Sequence, residues 1–477
     1  MKIIKDYIYN LSYQIISIIL PFLTIPYVSR VLGAEGVGIS AYVNSIITYF
    51  VLFSSLGISV YGNRTIAYTK DSLIDRSRVF WEIMLIKIIM FLLSLGLFFL
   101  FMQFTSYYDF LKIQVFYIIA SVLDISWLFL GLEQFKKLAI RNILVKVMSF
   151  SSIFIFVKNR DDLDIYLLIL ACSSLLGNIV FWVDFKKYVL PLKIISIDIT
   201  THLHAILLLS LPQLVSYAFM GVNKLILPNF SSLFETGLFD NADKTVRLLL
   251  TIVVAIGTII FPRMANFFKA GEEEKLYSSL KLTFDINSLV TFPIVFGFII
   301  ISEPFSEIFF GKDFNGISTV LSILIFELIF MGWTSLIGNQ FFIAVKKEKI
   351  LLVSMIISLA FLIVFSVFLI PIYGAVGAAI SSLIGEFIIL CVQLYYLSKT
   401  ISVRFLFRDV YKFMFSSLFM FLICLSVQNL FQSSLQKILY TIPIAFFLYF
   451  LCLWLLDPKI KSVAINYFKV MRRDDER

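Results

Sequence analysis

Long apolar runs separated by short polar segments recur along the whole chain of 477 residues. A helix needs roughly 20 mostly apolar residues to cross the hydrocarbon core of a bilayer, which is about 30 Å thick. The runs have about this length and are apolar on every face, whereas strands of a membrane β-barrel alternate over about 10 residues. The pattern therefore predicts an all-α polytopic membrane protein with about 14 transmembrane helices, near residues 8–29, 37–60, 79–103, 111–132, 138–157, 163–183, 203–228, 237–261, 282–301, 317–344, 350–370, 374–398, 410–429 and 438–456.

Composition agrees with this interpretation. The chain is 60% hydrophobic and 15% charged, with a mean hydropathy of +0.95, while soluble domains are about 45–50% apolar and about 25% charged. Little chain is left between the runs, so we expect the function to reside in the membrane part. The first run is too long for the apolar region of a signal peptide and lacks a small-residue cleavage site, so it is interpreted as the first span.

Lysine and arginine predict the orientation. With both termini in the cytoplasm, and with residues within three positions of a span edge counted in the adjoining segment, 29 of the 40 Lys and Arg fall in cytoplasmic segments, six in outer segments and five inside spans. Positive residues concentrate on the cytoplasmic side of membrane proteins. The net charge of +9 is thus attributed to loops that face anionic headgroups, and no nucleic-acid partner is predicted.

Two stretches repeat a glycine-rich pattern. Residues 32–40 (LGAEGVGIS) and 373–381 (YGAVGAAIS) share Gly-Ala, a second glycine and Ile-Ser at the same positions. In addition, Pro21 and Pro26 fall in span 1 and Pro212 in span 7. Internal repeats and interrupted helices are common in transporters, although a convergent tight turn and incidental kinks would give the same pattern. We predict two six-helix lobes, at 1–183 and 203–398, a cytoplasmic linker at 184–202, and a region at 399–477 with helices 13–14 and a basic cytoplasmic tail.

The sequence contains no pattern typical of a metal-binding or nucleotide-binding site. The four cysteines lie in apolar runs without CxxC spacing, and His202 and His204, two residues apart, point to different faces of a helix. No Walker A pattern (GxxxxGK[ST]) occurs, which argues against ATP-driven pumping by this chain. We predict no metal site and no cofactor.

Several motifs resemble the polysaccharide repeat-unit flippases, which transport lipid-linked oligosaccharides and belong to the multidrug/oligosaccharidyl-lipid/polysaccharide exporter superfamily. They are PYVSRVLGAEGVG (26–38), NSIITYF (44–50), LGISVYGNR (56–64), FDNADK (239–244), FPRM (261–264) and PIYGAVGAAISSLIGE (371–386). The resemblance implies two six-helix lobes around a central cavity. It also implies transport of undecaprenyl-pyrophosphate-linked oligosaccharide across the bacterial cytoplasmic membrane for capsule, O-antigen or exopolysaccharide synthesis. It assigns no individual binding residue.

Basic residues inside the spans are candidates for binding the pyrophosphate of such a substrate. Charges within a membrane cost several kcal/mol and usually mark function, and a pyrophosphate needs a polar, cationic path through hydrocarbon. We predict an outer vestibule of positive charge, with two further lysines deeper in spans 3 and 5. Alternatively, Lys224 snorkels to headgroups, and two i, i+4 pairs, Asp240–Lys244 and Asp243–Arg247, neutralise each other. The vestibule candidates are Arg30, Lys224, Lys244 and Arg247, and the deeper lysines are Lys87 and Lys146.

Acidic residues inside the spans are candidates for coupling transport to a cation. Asp124, Glu327 and Glu386 lie in spans 4, 10 and 12. A carboxylate in a low-dielectric environment tends to bind a proton, so coupling to H⁺ or Na⁺ is predicted. The alternatives are a buried pair with Lys87 or Lys146, or a protonated carboxyl that bonds a neighbouring helix.

Two other functions were weighed. A cation-coupled multidrug exporter of the same superfamily usually has twelve spans and cationic cargo, which the extra helix pair and the basic residues oppose. A membrane polysaccharide polymerase usually has a large outer loop, whereas the outer loops here are short and contain no histidine. We therefore predict a flippase and not an enzyme, with polysaccharide polymerase machinery as a partner.

Overall fold

The computed structural model describes residues 2–191, 198, 200–258 and 260–456. Parts of the predicted linker (192–197 and 199) and the predicted basic tail (457–477) lie outside this range. The described residues form seventeen α-helices and no strand: α1 Lys2–Ser55, α2 Ile58–Tyr68, α3 Leu73–Met102, α4 Tyr108–Leu123, α5 Ser126–Gly131, α6 Phe135–Phe156, α7 Leu163–Val183, α8 Thr200–Phe230, α9 Leu233–Thr258, α10 Phe261–Ala270, α11 Glu273–Phe309, α12 Ile317–Leu324, α13 Glu327–Thr334, α14 Lys349–Ser398, α15 Val403–Phe407, α16 Val410–Gln428 and α17 Ser434–Leu456.

Membrane-length helices dominate the described chain. Eleven helical segments are long and apolar enough to cross a membrane, and two of them, Ile16–Tyr68 and Lys349–Ser398, have 53 and 50 residues. A straight helix of that length would reach about 75–80 Å, far more than the ~30 Å of a bilayer core. The all-α polytopic class is confirmed, while the number of fourteen spans stays a prediction. The 26-residue helix α9 is not among the eleven.

Each very long helix is broken at a glycine of the predicted repeat. Gly33 in α1 has φ 71°, and Gly374 in α14 has φ 55°. The left-handed region is favourable for glycine because a Cβ atom would crowd the following carbonyl. At the second break, the Ala375 N–H donates to Glu235 Oε2 at 2.7 Å, and a Cβ on Gly374 would lie 2.8 Å from the same oxygen. Glu235, from the first turn of α9, therefore fixes the start of the second half of α14.

The chain forms two compact units, Met1–Pro228 (unit 1) and Asn229–Arg477 (unit 2). In unit 1, one core joins α2, α3, α5 and the start of α8, and a second joins α1, α3 and α4. Phe80 of α3 stacks on Trp127 of α5, with ring centroids 5.3 Å apart. The predicted boundaries of the two six-helix lobes stay a prediction.

Unit 2 is organised around α11. This helix of 37 residues packs against α9, α12, α13, α16 and α17. Phe284 of α11 stacks on Trp333 of α13 at 5.2 Å. After Trp333 the chain continues as a π-helix, Ser335–Phe342, and an apolar cavity of about 360 Å³ lies among α11, α16 and α17. The elements α9, α13, the π-helix and α14 carry buried polar residues of this unit, among them Asp243, Glu327, Gln340 and Glu386.

Candidate functional site

Helix α9 carries two ion pairs that the i, i+4 spacing of its acids and bases creates. Lys244 Nζ lies 2.6 Å from Asp240 Oδ2, and Arg247 Nε lies 2.7 Å from Asp243 Oδ1. The acidic side chains are only 3% and 6% exposed, whereas those of Lys244 and Arg247 are 41% and 28% exposed. The carboxylates of Asp240 and Asp243 are thus buried, whereas the side chains of Lys244 and Arg247 remain partly exposed at the surface of the chain.

Two further acids approach Arg247 from other helices. Glu327 from α13 and Glu386 from the second half of α14 are 4% and 5% exposed. Both interact electrostatically with Arg247 and with Asp243, and Glu386 acts on Glu327 as well. We call Asp243, Glu327 and Glu386, together with Arg247, the carboxylate cluster. The structure therefore unites residues that the sequence assigned to separate roles, a phosphate-binding arginine and two coupling acids.

The four members of the carboxylate cluster include three acids and one base. One guanidinium faces three carboxyl groups, and taking each ionised group out of water costs several kcal/mol. Glu327 Oε1 is buried without a hydrogen-bond partner among the described residues. A proton or a small cation bound at Glu327 Oε1 would lower the negative charge of the carboxylate cluster.

Asp124 and Lys87 lie together in unit 1. Lys87, 2% exposed, donates from Nζ to the main-chain carbonyl of Asp124 at 2.5 Å. The Asp124 carboxylate accepts the Ser126 N–H at 2.9 Å, in the turn between α4 and α5. Asp124 therefore lies beside Lys87 in unit 1. The other two acidic candidates, Glu327 and Glu386, belong to unit 2.

The other predicted bases lie on three separate helices of unit 1. Arg30 on α1 is exposed, while Lys146 on α6 and Lys224 on α8 are half-buried. Asn223, beside Lys224, is 2% exposed. A common vestibule of Arg30, Lys224, Lys244 and Arg247 stays a prediction, as do the phosphate-binding roles of Lys87 and Lys146.

A buried hydrogen-bond chain around His202 was missed by the sequence analysis. His202 Nε2 lies 2.8 Å from Glu82 Oε2, and His202 Nδ1 lies 2.6 Å from the Tyr61 hydroxyl. Arg78 also pairs with Glu82 at 3.0 Å. Because an ionised carboxylate only accepts hydrogen bonds, Nε2 carries a hydrogen, and in the neutral imidazole Nδ1 then accepts from the Tyr61 hydroxyl. Glu82 and Tyr61 are 120 and 141 residues from His202 in the chain. No local sequence spacing could therefore predict these contacts.

The segment between α7 and α8 is fastened to the start of α3. Arg76 Nε donates to the Tyr188 carbonyl at 2.9 Å, and Trp81 Nε1 donates to the Leu190 carbonyl at 2.8 Å. The Asp198 N–H donates to Glu82 Oε1 at 2.8 Å. We call the bonded residues Tyr188, Leu190 and Asp198 the linker strap. The predicted linker is therefore bonded to α3 on both sides of the residues that the structure does not describe.

The fold defines a class, the polytopic α-helical membrane proteins. The structure is similar to that of the lipid II flippase MurJ in an inward closed conformation, with a TM-score of 0.75 and 16% identity, covering 96% of this chain and 99% of that one. It is also similar to an inward-facing multidrug resistance MATE family transporter of the MOP superfamily, with a TM-score of 0.62 and 16% identity, covering 80% and 96%.

Sequence comparison adds the family. Residues 3–268 match the family described as polysaccharide biosynthesis protein, so the chain belongs to that family. It is 23% identical over 383 residues to a putative O-antigen transporter of Shigella dysenteriae, covering 78% of this chain and 94% of the relative. It is also 23% identical over 194 residues to a probable low-salt glycan biosynthesis flippase of Haloferax volcanii, covering 41% of each. The predicted resemblance is confirmed.

Proposed function

We propose that this protein is a flippase for undecaprenyl-pyrophosphate-linked oligosaccharide repeat units in the bacterial cytoplasmic membrane. The family match over residues 3–268 carries the proposal. It is supported by relatives named as an O-antigen transporter and a glycan biosynthesis flippase. Capsule, O-antigen or exopolysaccharide synthesis would use the product, and the polymerase machinery would receive it. In this role the chain moves its substrate without making or breaking a covalent bond.

The basic side chains of α9 suit the pyrophosphate. Lys244 and Arg247 are held in place by buried acids, yet their own side chains are 41% and 28% exposed. An arginine binds phosphate oxygens through two parallel N–H donors, whereas a lysine acts as a point charge. The headgroup would exchange its hydration for these donors, which lowers the cost of taking a double anion across hydrocarbon.

The apolar cavity among α11, α16 and α17 suits the polyprenyl chain. Its lining includes Leu289, Met420 and Phe446, and these apolar side chains would replace lipid around an isoprenoid. The tail therefore needs no polar path, and only the headgroup has to be carried by charged residues.

Alternating access, driven by cation exchange at the carboxylate cluster, is the mechanism that we propose. Binding of H⁺ or Na⁺ would neutralise Glu327 and Glu386 and free Arg247 from part of the opposing charge. Release of the cation would restore that charge and weaken the hold of Arg247 on an anionic headgroup. A cycle of this kind links the cation gradient to loading and unloading of the substrate.

Charge reversal at Arg247 tests the proposal. In a strain that lacks its own copy of the gene, Arg247→Glu should abolish surface polysaccharide and cause lipid-linked repeat units to accumulate. Protein in the membrane should stay at the wild-type amount. Lys347→Glu is the matched control, because Lys347 is an exposed residue in the turn before α14. Normal surface polysaccharide from Arg247→Glu would contradict the role of the α9 bases.

Transport measurements in membrane vesicles would distinguish H⁺ from Na⁺ as the coupling ion. Dissipating the proton gradient and the sodium gradient one at a time should stop transport of lipid-linked repeat units in only one of the two cases. Transport that is indifferent to both gradients would remove the coupling role of Glu327 and Glu386 while leaving the flippase itself intact.

A further inference from the structure

One acidic side chain of α9 reaches the break in α14. The Glu235 carboxylate accepts the Ala375 N–H at 2.7 Å, and Ala375 is the first residue after the break at Gly374. The first N–H groups of a helix have no partners within that helix, and a negative charge at this end is favourable. An acid from α9 therefore caps the second half of α14.

The position of Glu235 is fixed by the local structure on both sides. In the first turn of α9, the Glu235 N–H donates to the Ser232 hydroxyl at 3.1 Å, and the Thr236 hydroxyl donates to the Ser232 carbonyl at 2.8 Å. On the side of α14, a Cβ on Gly374 would lie 2.8 Å from Glu235 Oε2. Glycine at the break therefore leaves the space that the half-buried carboxylate occupies.

The same two helices meet again at the carboxylate cluster. Helix α9 contributes Asp243 and Arg247, and the second half of α14 contributes Glu386, which interacts electrostatically with both. Arg247 follows Glu235 by twelve residues, and Glu386 follows Ala375 by eleven. At about 1.5 Å per residue, the two distances along the helices are about 18 and 17 Å. Two helices that are joined at their starts and extend equally far thus bring Glu386 level with Arg247.

This register depends on a contact outside α14. The break at Gly374 interrupts the helical geometry, so the first half of α14 does not by itself fix the rotation and height of the second half. A slip of one residue would turn Glu386 by about 100° around the helix axis and move it by about 1.5 Å. The Glu386 carboxyl group would then no longer face Arg247.

We propose that Glu235 is a positioning residue for cation exchange at the carboxylate cluster. Its hydrogen bond to the Ala375 N–H sets the register of the second half of α14 against α9 and thereby holds Glu386 beside Arg247. Glu235 itself binds neither the cation nor the substrate. This inference rests on the cation coupling in the proposed function.

The register can be measured as a distance between spin labels on the purified full-length chain in detergent. One label is attached to Cys391, an exposed native cysteine in the second half of α14, and the other to Thr251→Cys at an exposed position of α9. The partly exposed Cys172 and Cys452 are replaced by alanine, and the buried Cys424 remains. Electron–electron dipolar spectroscopy then reports how the two helices are placed.

Two substitutions at one position separate the hydrogen bond from the side chain as such. Glu235→Ala removes the acceptor, whereas Glu235→Gln keeps an amide oxygen that can accept the Ala375 N–H. We expect the label distance to change by about 3 Å or more in Glu235→Ala, because a slip by one residue also turns the label around the helix. Glu235→Gln and the control Glu303→Ala, at an exposed glutamate of α11, should keep the wild-type distance. An unchanged distance in Glu235→Ala, or an equal change in Glu235→Gln, would overturn the proposal.

A functional arm measures transport of lipid-linked repeat units in vesicles at increasing concentrations of the coupling cation. The half-saturating cation concentration should rise about tenfold in Glu235→Ala, the loss expected for one hydrogen bond to a charged group, and stay near the wild-type value in Glu235→Gln. An unchanged value in Glu235→Ala would contradict the link to the carboxylate cluster. The label distance needs neither substrate nor gradient, so a failed positioning role is distinguishable from a failed flippase proposal, which the Arg247→Glu polysaccharide assay decides.

A second route displaces the Glu235 carboxylate without replacing it. In Gly374→Ala the added Cβ would crowd Glu235 Oε2, and we expect the same change in label distance. Gly271→Ala is the matched control, because Gly271 also has a positive φ, 72° against 55° for Gly374, yet a Cβ there meets nothing within 4 Å. A wild-type distance in Gly374→Ala would contradict the role of this contact.

Discussion

Two nine-residue segments, 127–135 in unit 1 and 333–341 in unit 2, begin with tryptophan, end with Gln-Phe and share a leucine at the fourth position (WLFLGLEQF and WTSLIGNQF). Their tryptophans stack on Phe80 and Phe284 in nearly the same way, at 5.3 and 5.2 Å with interplanar angles of 18° and 15°. The segments then diverge. In unit 1 the helix ends at Gly131, and Glu133 adopts a positive φ of 56° before α6 begins.

In unit 2 the same stretch continues as the π-helix Ser335–Phe342. Gln340 consequently becomes 4% exposed in the interior, whereas Gln134 at the equivalent position is half-buried and precedes α6. The Trp–Phe stack is thus similar in the two units, but the glutamine that follows it is buried in unit 2 and not in unit 1. Extending one helix is enough to bring an amide into the interior of unit 2.

Loss of the stacked tryptophans should have the largest effect. Trp127 and Trp333 are 1% and 7% exposed, so Trp→Ala at either position should cost about 3–5 kcal/mol of unfolding free energy. Trp333 also donates to Ser288 Oγ at 3.0 Å, which should add about 1 kcal/mol. Unfolding in mixed micelles measures both, with the exposed Trp454→Ala as control. A cost in only one unit would break the idea of a shared framework.

Removal of Lys281 should have the next largest effect. Its ammonium group, 8% exposed, lies 2.6 Å from Asp285 and 3.0 Å from Asp409. Lys281→Met would take the ammonium group away from the Asp285 carboxylate, which is 14% exposed, while Asp409 keeps Lys412 at 2.7 Å. We expect a cost of about 3 kcal/mol. Lys275→Met, at a residue that is 62% exposed, should cost less than about 0.5 kcal/mol. Equal losses for the two variants would show that the network of unit 2 does not depend on its buried charge.

Replacement of His202 should have a smaller effect, because the buried Glu82 carboxylate of the corresponding network in unit 1 keeps its ion pair with Arg78. In His202→Gln, Glu82 keeps Arg78 and the Asp198 N–H, so we expect a loss of about 1 kcal/mol. His204→Gln, at an exposed neighbour, should change nothing measurable. A loss as large as that of Lys281→Met would remove the contrast between the two units.

Local features were predictable from the sequence, and contacts between distant residues were not. The apolar runs predict the helices, and the i, i+4 spacing predicts both α9 ion pairs, since a helix brings such residues together by itself. The repeated glycines at 33 and 374 mark the two helix breaks. By contrast, Arg247 meets acids that lie 80 and 139 positions further along the chain, at 327 and 386. Only helix packing brings these residues together.

The π-helix and the histidine network have no sequence signal that we could use. The segment 335–342 has the same apolar character as the helices around it, and the turn at Glu133 shows that similar residues can end a helix instead. His202 lies beside an apolar run, and its partners Tyr61 and Glu82 come from α2 and α3. Such contacts depend on the arrangement of helices and not on spacing along one of them.

The linker strap bears on protein engineering. Leu190 and Asp198 are bound to the consecutive residues Trp81 and Glu82 of α3, so the distance between these two points is set by that helix and not by the length of the intervening chain. An epitope tag or a fluorophore-labelling peptide inserted between them would leave both anchors where they are. The stretch of sequence between Leu190 and Asp198 is therefore the position at which we would place a reporter to follow this protein in living cells.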